Sequence, residues 1–407
     1  MFKYLRVLES PSKKAFLSLI ILALCEQTIF IYPIAIISHI GPLELIAPFI
    51  IPLAYVILTF MSMGDDITNG ITTKPLLILW FFILAILVTI IIYPQNEKYI
   101  VKNLNQIWLI IPYFLIGLCF RADKLTMDTL GKWCCFGVLL TAFYRLSFAS
   151  AETFEENDYN MDASYSALAS ILIAINYAFN SKKLLPIACS LIGFFFTLSM
   201  GTRGPIIIEL VFTFVCVLLY LNISKKGKVG LAVVVAVIAL LLSLMSDSDF
   251  YLDLLIWVAD FLGNLGFSTR IVDFALTDEM ITYTSGRSDI YADLWPRLLE
   301  RPLVGYGVYG EWPLGYASAH NMYLETLYHY GIPLGGLILL IYIITVIRGY
   351  RNASNIYEIG WLTIWSCYVF VRGFFGGSFL RFSVFLLWGF SIALVFRRHH
   401  HLNSSIQ

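Results

Sequence analysis

Long apolar stretches alternate with short polar ones along almost the whole chain. A helix needs about 20 apolar residues to cross roughly 30 Å of hydrocarbon. That rule selects twelve stretches: 15–37, 43–62, 75–93, 104–120, 129–148, 163–180, 184–200, 205–222, 229–246, 319–347, 357–372 and 378–396. The spans near 163–200 are short and close together, so eleven is the other count the pattern allows. The pattern predicts an all-α integral membrane protein built as a single polytopic domain over residues 1–407. One feature interrupts it, a large polar loop at 247–318 that contains short helices of its own.

Three pieces make up that loop. Residues 249–265 set Phe250, Leu254, Val258, Phe261 and Leu265 at helical spacing, with Asp249, Asp253 and Asp260 off the stripe. This is an amphipathic helix that either roofs a cavity or anchors the loop to the bilayer surface. Next, Thr284-Ser285-Gly286-Arg287-Ser288-Asp289 precedes an apolar-periodic run of Ile290, Tyr291, Leu294 and Leu298, which reads as a helix N-terminus. Such a terminus, with its unpaired N–H groups and Arg287 in the first turn, suits phosphate. Pro296 should kink that helix or shorten it. The third piece runs from Arg301-Pro302-Leu303-Val304-Gly305-Tyr306-Gly307 through Trp312 and Tyr316 to His320-Asn321.

Composition agrees with the pattern. The 407 residues are 59% hydrophobic and 13% charged, with a mean hydropathy of +0.79 and zero formal net charge. Soluble domains carry about 25% charged residues. Lysines cluster in one alternate set of connections, at Lys13-Lys14, Lys182-Lys183 and Lys225-Lys226-Lys228. By the positive-inside rule these face the cytoplasm, so both termini are expected inside and the long loop outside. Lys3, Arg6, Lys13 and Lys14 precede a first span too long for the apolar core of a cleaved signal peptide. All seven cysteines fall in expected spans, which argues against a disulfide framework in the outer loops. An acidic outward segment, 149–162, is either a solvated loop or, through Asn157, Tyr159 and Asn160, a sugar contact.

The outward loop holds Arg270, Arg287, Arg297 and Arg301 but no lysine. A guanidinium is a planar, permanently charged fork that matches phosphate oxygens, whereas an ammonium is a hydrated point charge. Arg203, in the tight outward turn Thr202-Arg203-Gly204, either binds an anion or snorkels to headgroups. Arg297 and Arg301 share a helical face. They contact substrate, or they pair with Glu300 and lipid. Arg372 is a further outward arginine. His320 opens the span after the loop and titrates near neutrality, which suits it to take a proton from a hydroxyl. Asn321 and Glu325 follow on one helical face and are expected to bind the sugar substrate. A separation of about 140° makes Glu325 a poor direct partner for His320 in a straight helix. His329 lies opposite and is expected to pack. Tyr306, Trp312 and Tyr316 offer flat faces for sugar rings, or form an interfacial aromatic belt. No metal-ligand set or cofactor motif is apparent, and the His399–His401 run reads as a solvated tail.

Taken in order, Thr202-Arg203-Gly204, Ser285-Gly286-Arg287, the 301–307 run and His320-Asn321 with Leu324-Glu325 resemble the O-antigen ligase and O-antigen polymerase superfamily. The resemblance implies a metal-independent glycosyltransferase of the bacterial inner membrane with a periplasmic site. Its donor would be a glycan on undecaprenyl diphosphate. It further implies that Arg203 and Arg287 contact the diphosphate and that His320 is the base or acceptor-positioning group. Arg297, Arg301 and Arg372 do not rest on it. Nothing in residues 247–318 announces a phosphorylated core-oligosaccharide acceptor, which favours a polymerase over a ligase. A lipid-linked oligosaccharide flippase is the alternative of another class. Membrane lipids, a chain-length regulator and a flippase are the expected partners, and nucleic acid is not.

Overall fold

The computed structural model describes residues 73–148, 161–199, 203–220, 256–257, 260–261 and 287–404. The expected spans at 15–37, 43–62 and 229–246 lie outside them, as do almost all of the acidic segment 149–162 and most of 249–265. Within the described residues the elements are helical and none is a strand. In chain order they are α1 Thr73–Ile92, α2 Glu97–Lys102, α3 Leu104–Cys119, α4 Lys124–Phe148, α5 Met161–Ser181, α6 Leu184–Ser199 and α7 Arg203–Tyr220. After the long loop come α8 Arg287–Glu300, α9 Met322–Asn352, α10 Ile356–Ser366, α11 Arg372–Phe375 and α12 Phe382–Ser404. A π-helical turn, Cys367–Val371, joins α10 to α11. Among the described residues α9 alone is long and apolar enough to cross a membrane unbroken, while Leu79–Ile92 and Pro94–Lys102 form a pair bent by 106°. The count of twelve spans remains an expectation.

The chain divides into two compact units. Gly131–Thr284, with Glu26–Ile29, makes one of them, which contains α5, α6 and α7. Its α5 is buried along Ala167–Ala178, and the Tyr220 hydroxyl donates to Asn176 Oδ1 at 2.6 Å. Thr197 on α6 donates to the buried Glu209 on α7 at 2.6 Å, so the carboxyl is not left without a partner inside an apolar bundle.

The other unit comprises the remaining residues, including 30–130 and 285–407. Its tightest helix pair is α3 with α12. A Cβ on Gly117 would stand 2.3 Å from the Leu386 carbonyl oxygen, and one on Gly389 would stand 2.2 Å from that of Phe114. The two glycines therefore let the backbones touch, which is how helices associate where burial from water supplies no drive. Beside them Phe82, Tyr330, Phe379, Phe385 and Trp388 form an aromatic core. Outward, α1 exposes Leu77, Trp80, Phe81, Leu84 and Ile91 while burying Thr89 near its end. An apolar outward face is the arrangement that lipid favours.

A break in α9 organises the candidate site. Gly331 has φ 76° and ψ 166°, which interrupts the helix after Tyr330. Pro333 has no N–H, so the helix cannot supply a donor to the His329 carbonyl. The loop supplies it instead. The N–H of Gly307 donates to His329 O at 2.9 Å, that of Tyr306 to Tyr328 O at 2.8 Å, and that of Ile332 turns outward to Pro302 O at 2.7 Å. This explains the two glycines around Tyr306. Gly305 (φ +65°) would place a Cβ 2.4 Å from Tyr328 O, and Gly307 (φ +80°) would place one against Tyr93 and Thr89. The Tyr93 hydroxyl and Asn96 amide complete the seam by donating to Gly305 O (2.9 Å) and Tyr306 O (2.9 Å). Gly305→Ala is expected to cost about 1–2 kcal/mol from its left-handed backbone alone, and more from the collision. A lowered thermal midpoint of the purified protein is the measurement.

Candidate functional site

The helix α8 begins at Arg287, where the sequence places a helix start, with Asp289 in its first turn. Its stripe is the expected one. Leu294 and Leu298 are fully buried against Ala319, Leu324 and Tyr328, with Ile290, Tyr291, Tyr306, Leu314, Tyr316 and Leu327 packed around them. The helix continues through Pro296, so the expected shortening does not occur: Pro296 lies beyond the first turn and α8 still runs to Glu300.

This packing aligns α8 with the start of α9. Tyr291 follows Arg287 by one helical turn on the same face, and its hydroxyl donates to the His320 carbonyl at 3.3 Å. His320 is half-buried and holds φ 51°, a left-handed conformation that few non-glycine residues adopt. Its own N–H donates to Ser318 Oγ at 3.0 Å. Asn321 then caps α9, accepting from the N–H groups of Tyr323 (3.0 Å) and Leu324 (3.1 Å). Asn321 therefore serves the helix terminus through its Oδ1.

Gly376 lies beside the imidazole. A Cβ placed there would lie 3.9 Å from His320 Nδ1. The turn that follows brings in Arg381, whose N–H donates to Ser378 O at 3.3 Å just before α12. Burial lowers the pKa of His320 below the ordinary imidazole value, and the charges of Arg287 and Arg381 lower it further. At neutral pH the ring is thus uncharged and able to accept a proton, with two guanidiniums near enough to act on it.

Other expected site residues have protein partners. Arg297 is half-exposed and pairs with Asp293 at 2.7 Å. Arg301 lies over the Tyr306 ring at 5.1 Å, and the other ring contact of Tyr306 is a stack on Tyr328 at 4.7 Å. Trp312 meets Tyr99 at 5.6 Å and the ammonium of Lys102 at 5.0 Å. Tyr316 packs on the α8 cluster. Arg372 is buried and donates to the Tyr368 hydroxyl one turn earlier. Glu325 is also buried, its carboxylate accepting from Ser318 (3.3 Å) and from Ser378. His329 packs as expected, with Nε2 2.7 Å from Glu311 Oε2. Arg203 heads α7 in the other unit.

Sequence reading missed Tyr291, Ser318, Ser378 and Arg381. Tyr291 and Ser318 were visible only as part of an apolar stripe and a loop. Arg381 stood at the edge of a span, with nothing local to tie it to His320.

Residues 187–341 match the family model described as O-antigen ligase. Over this segment the chain is similar to the O-antigen ligase family. No curated protein matches the chain. The O-antigen ligase match spans Arg203, Arg287 and His320 together with the 301–307 loop and the break in α9. It supports an O-antigen ligase- or polymerase-type activity in surface polysaccharide synthesis and a membrane location.

Proposed function

We propose that this protein is a glycosyltransferase that joins glycan repeat units at the periplasmic face of the bacterial inner membrane, as an O-antigen or capsule polymerase. The donor is a glycan on undecaprenyl diphosphate. About twelve spans, both termini in the cytoplasm and the 247–318 loop outside complete the reading. The observation that carries it is a half-buried His320 whose carbonyl is held by Tyr291, one turn on from Arg287, and whose ring stands beside Gly376 and the turn that leads to Arg381.

In this mechanism the acceptor sugar hydroxyl attacks the anomeric carbon of the donor, and His320 takes the hydroxyl proton. The bond from the anomeric carbon to the diphosphate oxygen breaks, and its electron pair leaves with the lipid diphosphate. Arg287 offsets the charge that grows there, in place of a divalent cation. One displacement inverts the anomeric centre.

Purified full-length protein, incubated with a synthetic lipid-diphosphate repeat unit, is expected to give a ladder of products on a gel, undiminished in EDTA. Loss of the ladder on chelation would remove the metal-independent mechanism. The family description itself favours a second reading, transfer of the finished glycan to lipid A core. A single product formed only when core acceptor is present, with no ladder, would select it. Transbilayer movement of the lipid-linked sugar with no new glycosidic bond would instead indicate a flippase.

A further inference from the structure

Glu325 is a carboxylate with 2% of its surface exposed, one turn inside α9. Burying such a group is costly unless its oxygens are bonded. Two hydroxyls from distant parts of the chain do this. Ser318, in the loop before α9, donates to Oε2, and Ser378, in the turn before α12, donates to Oε1. Both serines are in turn tied to backbone around the imidazole. Ser318 Oγ accepts the His320 N–H at 3.0 Å, and Ser378 Oγ accepts the Leu380 N–H at 3.2 Å. Ser378 also holds the Arg381 N–H through its carbonyl. Gly376, two residues before Ser378, is the wall beside His320 Nδ1.

We infer that Glu325 is a positioning residue: through Ser318 it holds His320 in its left-handed backbone conformation, and through Ser378 it holds the 376–381 turn against the imidazole. The inference rests on the glycosyl-transfer reading and gives Glu325 a role other than contact with sugar. His320 at φ 51° is strained unless its surroundings fix it, and strained residues of this kind persist where the neighbouring structure determines them. Two bonds and a helix cap fix it. Tyr291 takes the carbonyl, Ser318 takes the N–H, and Asn321 begins the helix immediately after. Of these, only the Ser318 bond is tied to the opposite wall of the ring, and Glu325 is the tie. The separation of about 140° between His320 and Glu325 on an ideal helix is thereby bridged without direct contact, since His320 stands before the helix starts.

The test uses the full-length protein and three variants, Glu325→Gln, Ser318→Ala and Ser378→Ala. Glutamine keeps the volume but has only one acceptor oxygen, so one serine loses its partner. Each variant is expected to lower kcat about 10- to 100-fold, the loss that follows slight misplacement of a reacting group, while KM for the lipid-linked donor stays unchanged. Histidine labelled with carbon-13 and nitrogen-15 gives a second readout. The His320 ring signals, assigned by their loss in His320→Asn, are expected to move in all three variants. Wild-type kcat with unmoved His320 signals in Glu325→Gln and Ser318→Ala would overturn the inference. So would a fall in activity carried by KM with the His320 signals unmoved, since that is the behaviour of a sugar-binding carboxylate. If Glu325→Gln does not fold, Ser318→Ala decides alone, because it leaves the carboxylate bonded to Ser378. If the wild-type protein forms no glycosidic bond, the proposed function fails by itself, and the ring signals still decide the positioning.

Discussion

Replacing Arg287 by lysine is expected to lower kcat on the lipid-linked donor about 10²–10³-fold, equivalent to roughly 3–4 kcal/mol of transition-state stabilisation. The charge is kept, so electrostatics alone predicts little change. Geometry predicts the loss. Arg287 is the first residue of α8, the end at which a helix lacks intrahelical partners for its backbone N–H groups. A guanidinium there presents two parallel donors to a departing diphosphate, and an ammonium cannot span the same oxygens. A second readout separates shape from charge. Lysine at 287 still places a cation near His320, so the pH at which activity falls should stay where it is in the wild type. Turnover near the wild-type level in Arg287→Lys would mean that a point charge suffices, and the fork would have no part in the reaction.

Removing the base is expected to cost as much or more. His320→Asn should lower kcat about 10²–10⁴-fold, the usual contribution of a positioned general base. Asparagine is the preferred replacement because it accepts a left-handed backbone more readily than alanine does. The fold around φ 51° is thereby kept while the proton acceptor is lost. An unchanged thermal midpoint would establish that the defect is chemical. The pH profile carries the sign of the effect. His320 must be neutral to accept a proton, and burial together with Arg287 and Arg381 moves its pKa down from 6.5. Activity should therefore be flat through neutrality and fall only as the pH drops through a midpoint below 6.5. A limb centred above the ordinary imidazole value would contradict the environment seen around the ring, and full activity in His320→Asn would remove the residue from the mechanism.

Much of this site was legible in local patterns. The Ser/Gly/Arg/Ser/Asp cluster gives the start of α8 because it combines small residues, a charge and an acid before an apolar period of 3.6. The glycines at 305 and 307 mark close backbone approach, and the Tyr328 carbonyl is what approaches. His320-Asn321 marks the beginning of α9, with Asn321 as its cap. Long-range contacts were not legible. Arg381 stands in the turn before α12 and His320 in the loop before α9, and only the turn at Gly376 brings the two together. The tie from Glu325 to two serines depends on hydroxyls that a linear reading treats as ordinary loop residues. The break at Gly331 was missed for another reason. Periodicity continues across it, since Tyr330 and Ile338 are both buried on either side, and only the absent N–H of Pro333 betrays the interruption. The aromatic residues show the limit of composition as a guide. Tyr306 and Trp312 have the rings that sugars pack against, yet each lies against other aromatic and cationic side chains of the protein.

Because the break at Gly331 and Pro333 leaves the Tyr328 and His329 carbonyls without helical donors, the 305–307 segment is not free to diverge as connecting segments usually are. Any lineage that altered this loop would expose Tyr328 and His329 oxygens in an apolar setting unless the break changed in the same step. Acceptor preference is thus more readily remodelled elsewhere around the rim, and this collar and its shaft should drift through evolution as one inherited unit.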